Sequence, residues 1–152
     1  MFGDLEFAIT SKQSDMMIKE VSTAASSRHS DEYAYQQFIK QGGLAAYTGK
    51  LQQCFDGQQR PFMALGFSAG AAAVWQLAAI AQPFLRQAYC CYGGQIRHHD
   101  DLQSLVPTTM IWAQETHFDV EVLHHKLQQQ PLVCSQLTPY PHGFVNPLSA
   151  GF

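Results

Sequence analysis

The stretch "PFMALGFSAGAAAVW" (61–75) constrains this chain more than any other. Its first part, 61–66, is a short continuous apolar run, which suits a strand buried on both faces of a parallel sheet. Its continuation "AGAAAVWQLAAIAQ" (69–82) is a strong helix former that stops before Pro83. Between them lies Gly66-Phe67-Ser68-Ala69-Gly70. A strand that turns straight into a helix holds the turning residue in a strained, positive-φ conformation. Side chains two residues to either side would collide there, so glycine at 66 and 70 relieves the crowding. The Ser68 hydroxyl then stands at the C-terminal end of a strand, where open α/β sheets bind ligands. The Ala69 amide opens the helix and can donate to an oxyanion, helped by the helix dipole.

The remaining pattern supplies the sheet that such a turn needs. "QAYCCYGG" (87–94), "TTMIWA" (108–113) and "LVCSQL" (132–137) read as further strands, and "TPYPHGFVNPLSAGF" as an irregular tail. Asp119 caps a helix carrying Val120, Leu123 and Leu127. Upstream, Ser30 and Asp31 open a helix with Tyr35, Phe38 and Ile39 on one face. Gly42-Gly43 ends it, and a second helix aligns Leu44, Tyr47, Leu51, Cys54 and Phe55. The first thirty residues are poorly patterned, with one short strand near Met17–Val21. Strands alternating with helices predict a single α/β domain over 1–152 with a mostly parallel sheet.

Composition narrows the function. Of 152 residues, 46% are hydrophobic and 14% charged, a globular balance, and the net charge of −3 offers nucleic acid no basic face. No apolar run approaches the roughly 18 residues of a membrane span. "MFGDLEFAITSK" carries acids where a secretory signal carries positive charge, so a cytoplasmic location is expected. Cys54, Cys90, Cys91 and Cys134 lack C-x-x-C spacing and read as buried free thiols in a reducing compartment. Trp75 and Trp112 read as core. His98-His99-Asp100-Asp101 is contiguous, so neighbouring side chains point apart. With no H-x-x-x-H anywhere, a solvated loop is the reading, with no metal and no organic cofactor.

A serine hydroxyl needs a base, and the base needs an orienting acid. Glu115 follows the 108–113 strand, and His142 lies beyond the final one, between Pro141 and Gly143. Asp119 is the alternative acid, although its position suits a helix cap better. Arg97 and His98 leave the end of the 87–92 strand and are candidate substrate contacts. Arg60, Arg86 and Arg97 are the cations available to a substrate carboxylate.

Together, "LGFSAGAAAVW", "AYCCYGGQI", "PTTMIWAQETHFDVEVLHHKL" and "YPHGFVNP" resemble the dienelactone hydrolase family of α/β-hydrolases, over about residues 60–147. The resemblance implies a three-layer α/β-hydrolase-like sheet with flanking helices. It also implies Ser68 as nucleophile, Glu115 as acid and His142 as base. "MFG" at Met1–Gly3 looks like the family's oxyanion loop, which implies Phe2 or Gly3 as a donor beside Ala69. The founding enzymes use a cysteine nucleophile, and Ser68 matches their broader esterase-like relatives. The implied activity is hydrolysis of a small ester, thioester or lactone. With "MFG" so early, the family's N-terminal strands are expected to be missing. An edge left bare in this way is one that a second copy could pair with, as a homodimer. The competing expectation is a hydrolase-fold protein without catalysis, serving as a small-ligand binding or interaction module.

Overall fold

The computed structural model describes residues 6–11, 16–20, 36 and 38–145. They form one six-stranded sheet with three helices. In chain order the elements are β1 (Glu6–Ser11), β2 (Met16–Glu20), α1 (Gly43–Asp56), β3 (Phe62–Phe67) and α2 (Ala69–Ala78). Then come β4 (Leu85–Cys91), a 3₁₀ turn (Gly94–His98), β5 (Thr108–Gln114), α3 (Val120–Leu127) and β6 (Val133–Pro141). The sheet order is β2-β1-β3-β4-β5-β6. Strands β3 to β6 are all parallel, as expected of an α/β chain. The β1–β2 hairpin continues the sheet antiparallel past β3. The expectation of a bare edge beside β3 is therefore corrected, because Phe7 to Ser11 pair along it; both strands of the hairpin follow Met1–Gly3 in the chain.

Side-chain alternation sorts the parallel strands into two faces. Phe62 and Ala64, Ala88 and Cys90, Met110 and Trp112 point to one core. There they meet Tyr47, Leu51 and Phe55 of α1, the alanines and Trp75 of α2, and Leu123 and Leu127 of α3. Leu65, Phe67, Cys91, Ile111 and Ala113 form a second, smaller cluster on the other face. All three helices cover the first face, so among the described residues the three-layer expectation holds on one side only. For the same reason β3 is not buried on both faces, and Met63 is 39% exposed.

The helices follow their sequence signals with one exception. Gly42 and Gly43 both adopt positive φ, and the turn at 41–42 separates α1 from the helical residues 36 and 38–40. Asp119 caps α3 by accepting from the amides of Glu121 and Val122. Trp112 Nε1 donates to Ser135 Oγ, which also bonds His124 Nδ1, tying α3 to the sheet. Helix α2 stops at Ala78 rather than running to 82. The Ala78 carbonyl is taken by the Leu105 amide at 2.8 Å instead of by a further helical turn. Trp75 and Trp112 are core, and Phe38 is buried with them. The cysteines are unpaired, but Cys134 is exposed and Cys54 half-buried, because β6 is an edge strand and α1 a surface helix. Ser30, Asp31 and Tyr35, and the Met1–Gly3 segment with Phe2, lie outside the described residues. Among the described residues no helix is long and apolar enough to cross a membrane.

Candidate active site

The turn at the end of β3 has the strain that its sequence demands. Ser68 sits at φ 52°, ψ −119°, immediately before α2. A Cβ at Gly66 would stand 2.7 Å from the Ala71 nitrogen and overlap the Gly70 carbonyl, so this position admits only glycine. A serine before a helix ordinarily caps it with its hydroxyl. Ser68 makes no such bond. Its carbonyl instead accepts from the Ala71 and Ala72 amides, and its own amide donates to Cys91 O. The first amide of α2, on Ala69, has no partner within the helix. No acid stands in the first turn to offset the positive end of the dipole there.

The hydroxyl released from capping faces a base. Ser68 Oγ lies 3.1 Å from His142 Nε2, across 74 residues of chain. On the far side of the imidazole, His142 Nδ1 lies 2.7 Å from Glu115 Oε1. An ionised carboxylate only accepts, so Nδ1 carries the proton and Nε2 presents its lone pair to the serine. The Glu115 side chain is 11% exposed and that of His142 26%, so the pair is shielded while the ring edge stays reachable.

Sheet register creates this meeting. Between Trp112 and Gln114 the β5 strand advances two residues, while β6 advances four, from Leu137 to Pro141. The surplus at Thr138 to Tyr140 is a bulge, pinned by Thr138 Oγ1 donating to Trp112 O at 2.7 Å. Pairing resumes at Gln114 with Pro141, so Glu115 and His142 are the next residues of the two strands. The tail expected after residue 137 is thus ordered strand up to Pro141. Edge position is what lets β6 carry two prolines.

Of the candidate residues, Ser68, Glu115 and His142 come together. Asp119, the alternative acid, does not join them, since its carboxylate is committed to the α3 amides. Arg97 donates to Gly94 O and lies over the Phe118 ring, 5.0 Å from its centroid. His98 is exposed on the same turn. Arg60 precedes β3, and Arg86 is the second residue of β4, so both lie at the opposite end of the parallel strands from Ser68. Arg86 donates to Pro83 O there. The His98–Asp101 stretch contributes an ion pair from Asp100 to Lys126 at 2.8 Å. Among the described residues no group of three or more acids, histidines or cysteines could hold a metal ion.

One residue of the site escaped the sequence reading. Tyr92 packs its ring edge-on to His142, with centroids 4.9 Å apart, and also against Phe144 and Phe67. Its φ of 40° was the missing signal, because a tyrosine before Gly-Gly reads as the plain end of a buried strand. No protein-family model matches this chain, and no curated protein matches it in sequence.

Proposed function

We propose that this chain is a serine hydrolase of α/β-hydrolase type that cleaves small carboxylic esters, thioesters or lactones. The observation that carries the reading is the unbroken hydrogen-bonded line Ser68–His142–Glu115 behind a strained strand–helix turn. The motifs shared with the dienelactone hydrolase family point the same way.

In the first half-reaction Ser68 Oγ attacks the substrate carbonyl carbon while its proton passes to His142 Nε2. The carbonyl electrons move onto oxygen, facing the Ala69 amide and the α2 dipole. Phe2 or Gly3 is the further donor that the family resemblance suggests. Collapse of the tetrahedral species expels the alkoxide or thiolate, which takes the proton from Nε2. An acyl ester on Ser68 remains. Water then gives a proton to Nε2 and attacks the acyl carbon. The second collapse returns the proton to Ser68 and releases the acid. Glu115 holds the ring in the required tautomer and offsets the imidazolium charge. A reducing, cytoplasmic setting suits the free thiols.

A fluorophosphonate probe and p-nitrophenyl acetate, offered to wild type and to Ser68→Ala, test the reading. Labelling and turnover in wild type, with both lost in the variant, are expected. Equal background in the two proteins overturns it and favours a non-catalytic binding module.

A further inference from the structure

Among the described residues, Ser68 and Tyr92 are the non-glycine positions with positive φ. They are also neighbours by register. Phe67 pairs with Cys91 across β3 and β4, so Ser68 and Tyr92 are the next residues of each strand. A second strained residue beside the first is unexpected unless something fixes it there.

Three sets of contacts fix it. The Tyr92 amide donates to Ile111 O at 2.7 Å, anchoring it to β5, the strand that Glu115 directly follows. The preceding residue, Cys91, accepts the Ser68 amide at 3.0 Å. The following residue, Gly93, lies so close to α2 that a Cβ there would stand 2.9 Å from Ala71 Cβ. The backbone of Tyr92 is therefore referenced to both the nucleophile and the acid. Its ring is buried and meets His142 at 60°, and Phe144, two residues on, at 65°. The base itself follows a bulge and precedes Gly143 at φ 84°, outside the regular pairing of β5 and β6.

We infer that Tyr92 is a positioning residue whose ring sets the plane of the His142 imidazole between Ser68 and Glu115. The role rests on the hydrolase reading for its consequence in catalysis, but the ring placement can be measured without turnover. Its strained backbone aims the side chain across the strand ends. An aromatic edge against the imidazole then limits rotation about the His142 side-chain torsions.

The test compares wild type, Tyr92→Phe, Tyr92→Leu and Tyr92→Ala, each checked for folding by circular dichroism. Two readouts are used: the downfield proton on His142 Nδ1 by NMR, assigned with Glu115→Gln, and the rate of fluorophosphonate labelling. Tyr92→Phe should keep both. Tyr92→Leu and Tyr92→Ala should broaden or lose the proton signal. Their labelling should slow by about tenfold to a hundredfold, with the fall in ester turnover lying in kcat rather than KM. An intact proton signal in the folded Leu or Ala variant overturns the inference. So does a Tyr92→Phe variant as impaired as Tyr92→Ala, which would assign the effect to the hydroxyl. If wild type is never labelled, the hydrolase reading fails, while the NMR comparison still decides the role of Tyr92.

Discussion

Glu115 and Asp119 stand four residues apart and divide two carboxylate tasks between them: Glu115 accepts from His142 Nδ1, Asp119 from the amides that open α3. Their substitutions should separate cleanly. Glu115→Gln should lower kcat by about 10³–10⁴-fold, because the imidazole loses its tautomer control. Its melting temperature should barely move. Asp119→Ala should leave kcat near wild type and cost about 1 kcal/mol of stability. Ester kinetics beside thermal melts check both, and a reversed pattern would reassign the acid.

The elbow trades stability for geometry. Ser68→Gly places a residue that tolerates positive φ at the strained turn. It should abolish probe labelling and yet raise stability by about 1 kcal/mol. In a chain of this size that is a rise in melting temperature of roughly 2–4 °C. An unchanged or lower melting temperature would mean that the turn stores no strain.

Two glycine-to-alanine changes should have opposite signs. At Gly66 the added methyl meets the Gly70 carbonyl and the Ala71 nitrogen, backbone atoms that cannot yield. A loss of about 3 kcal/mol, or no soluble protein, is expected. At Gly49, inside α1, a methyl meets nothing within 4 Å. Gly49→Ala should gain about 0.5–1 kcal/mol in denaturant titrations.

The cysteines give a prediction in pH. Burial pushes the Cys91 thiol from 9.0 up to about 11, and Cys90, wholly enclosed, is raised further. Both stay protonated in the native protein at neutral pH, so iodoacetamide should modify exposed Cys134 and spare them, as read by mass spectrometry. Above pH 9 the unfolded chain gives up these thiol protons while the native chain keeps them. Stability is therefore full below about pH 9 and falls as pH rises towards 11, by about 2–3 kcal/mol for Cys91. Cys91→Ala should flatten that decline in titrations at several pH values.

Much of the site was legible because its rules are local. Glycine at 66 and 70 around Ser68, a buried run before and alanines after, are features of the residues themselves. The order Ser68, Glu115, His142 followed from strand ends. What stayed hidden depends on pairing between strands. Pro139 and Pro141 lie in the stretch that reads as an irregular tail, yet an edge strand with a bulge accommodates them, and that bulge brings His142 level with Glu115. The aim of Tyr92 depends on a positive φ that its sequence neighbours do not announce. The β1–β2 hairpin was half seen, as one strand near Met17, because its partner is recruited by β3 and not by its own periodicity.

The late arrival of β6 has a consequence for synthesis. The serine turn is complete once β3, α2 and β4 have assembled, whereas the imidazole comes on the last described strand. A ribosome-bound chain ending before Pro141 would display a poised but inert hydroxyl, with no group to take its proton. Chemical competence would switch on only when the final strand docks beside β5. On the proposed hydrolase reading, activity would report the docking of β6, and chains made only as far as β5 would be silent.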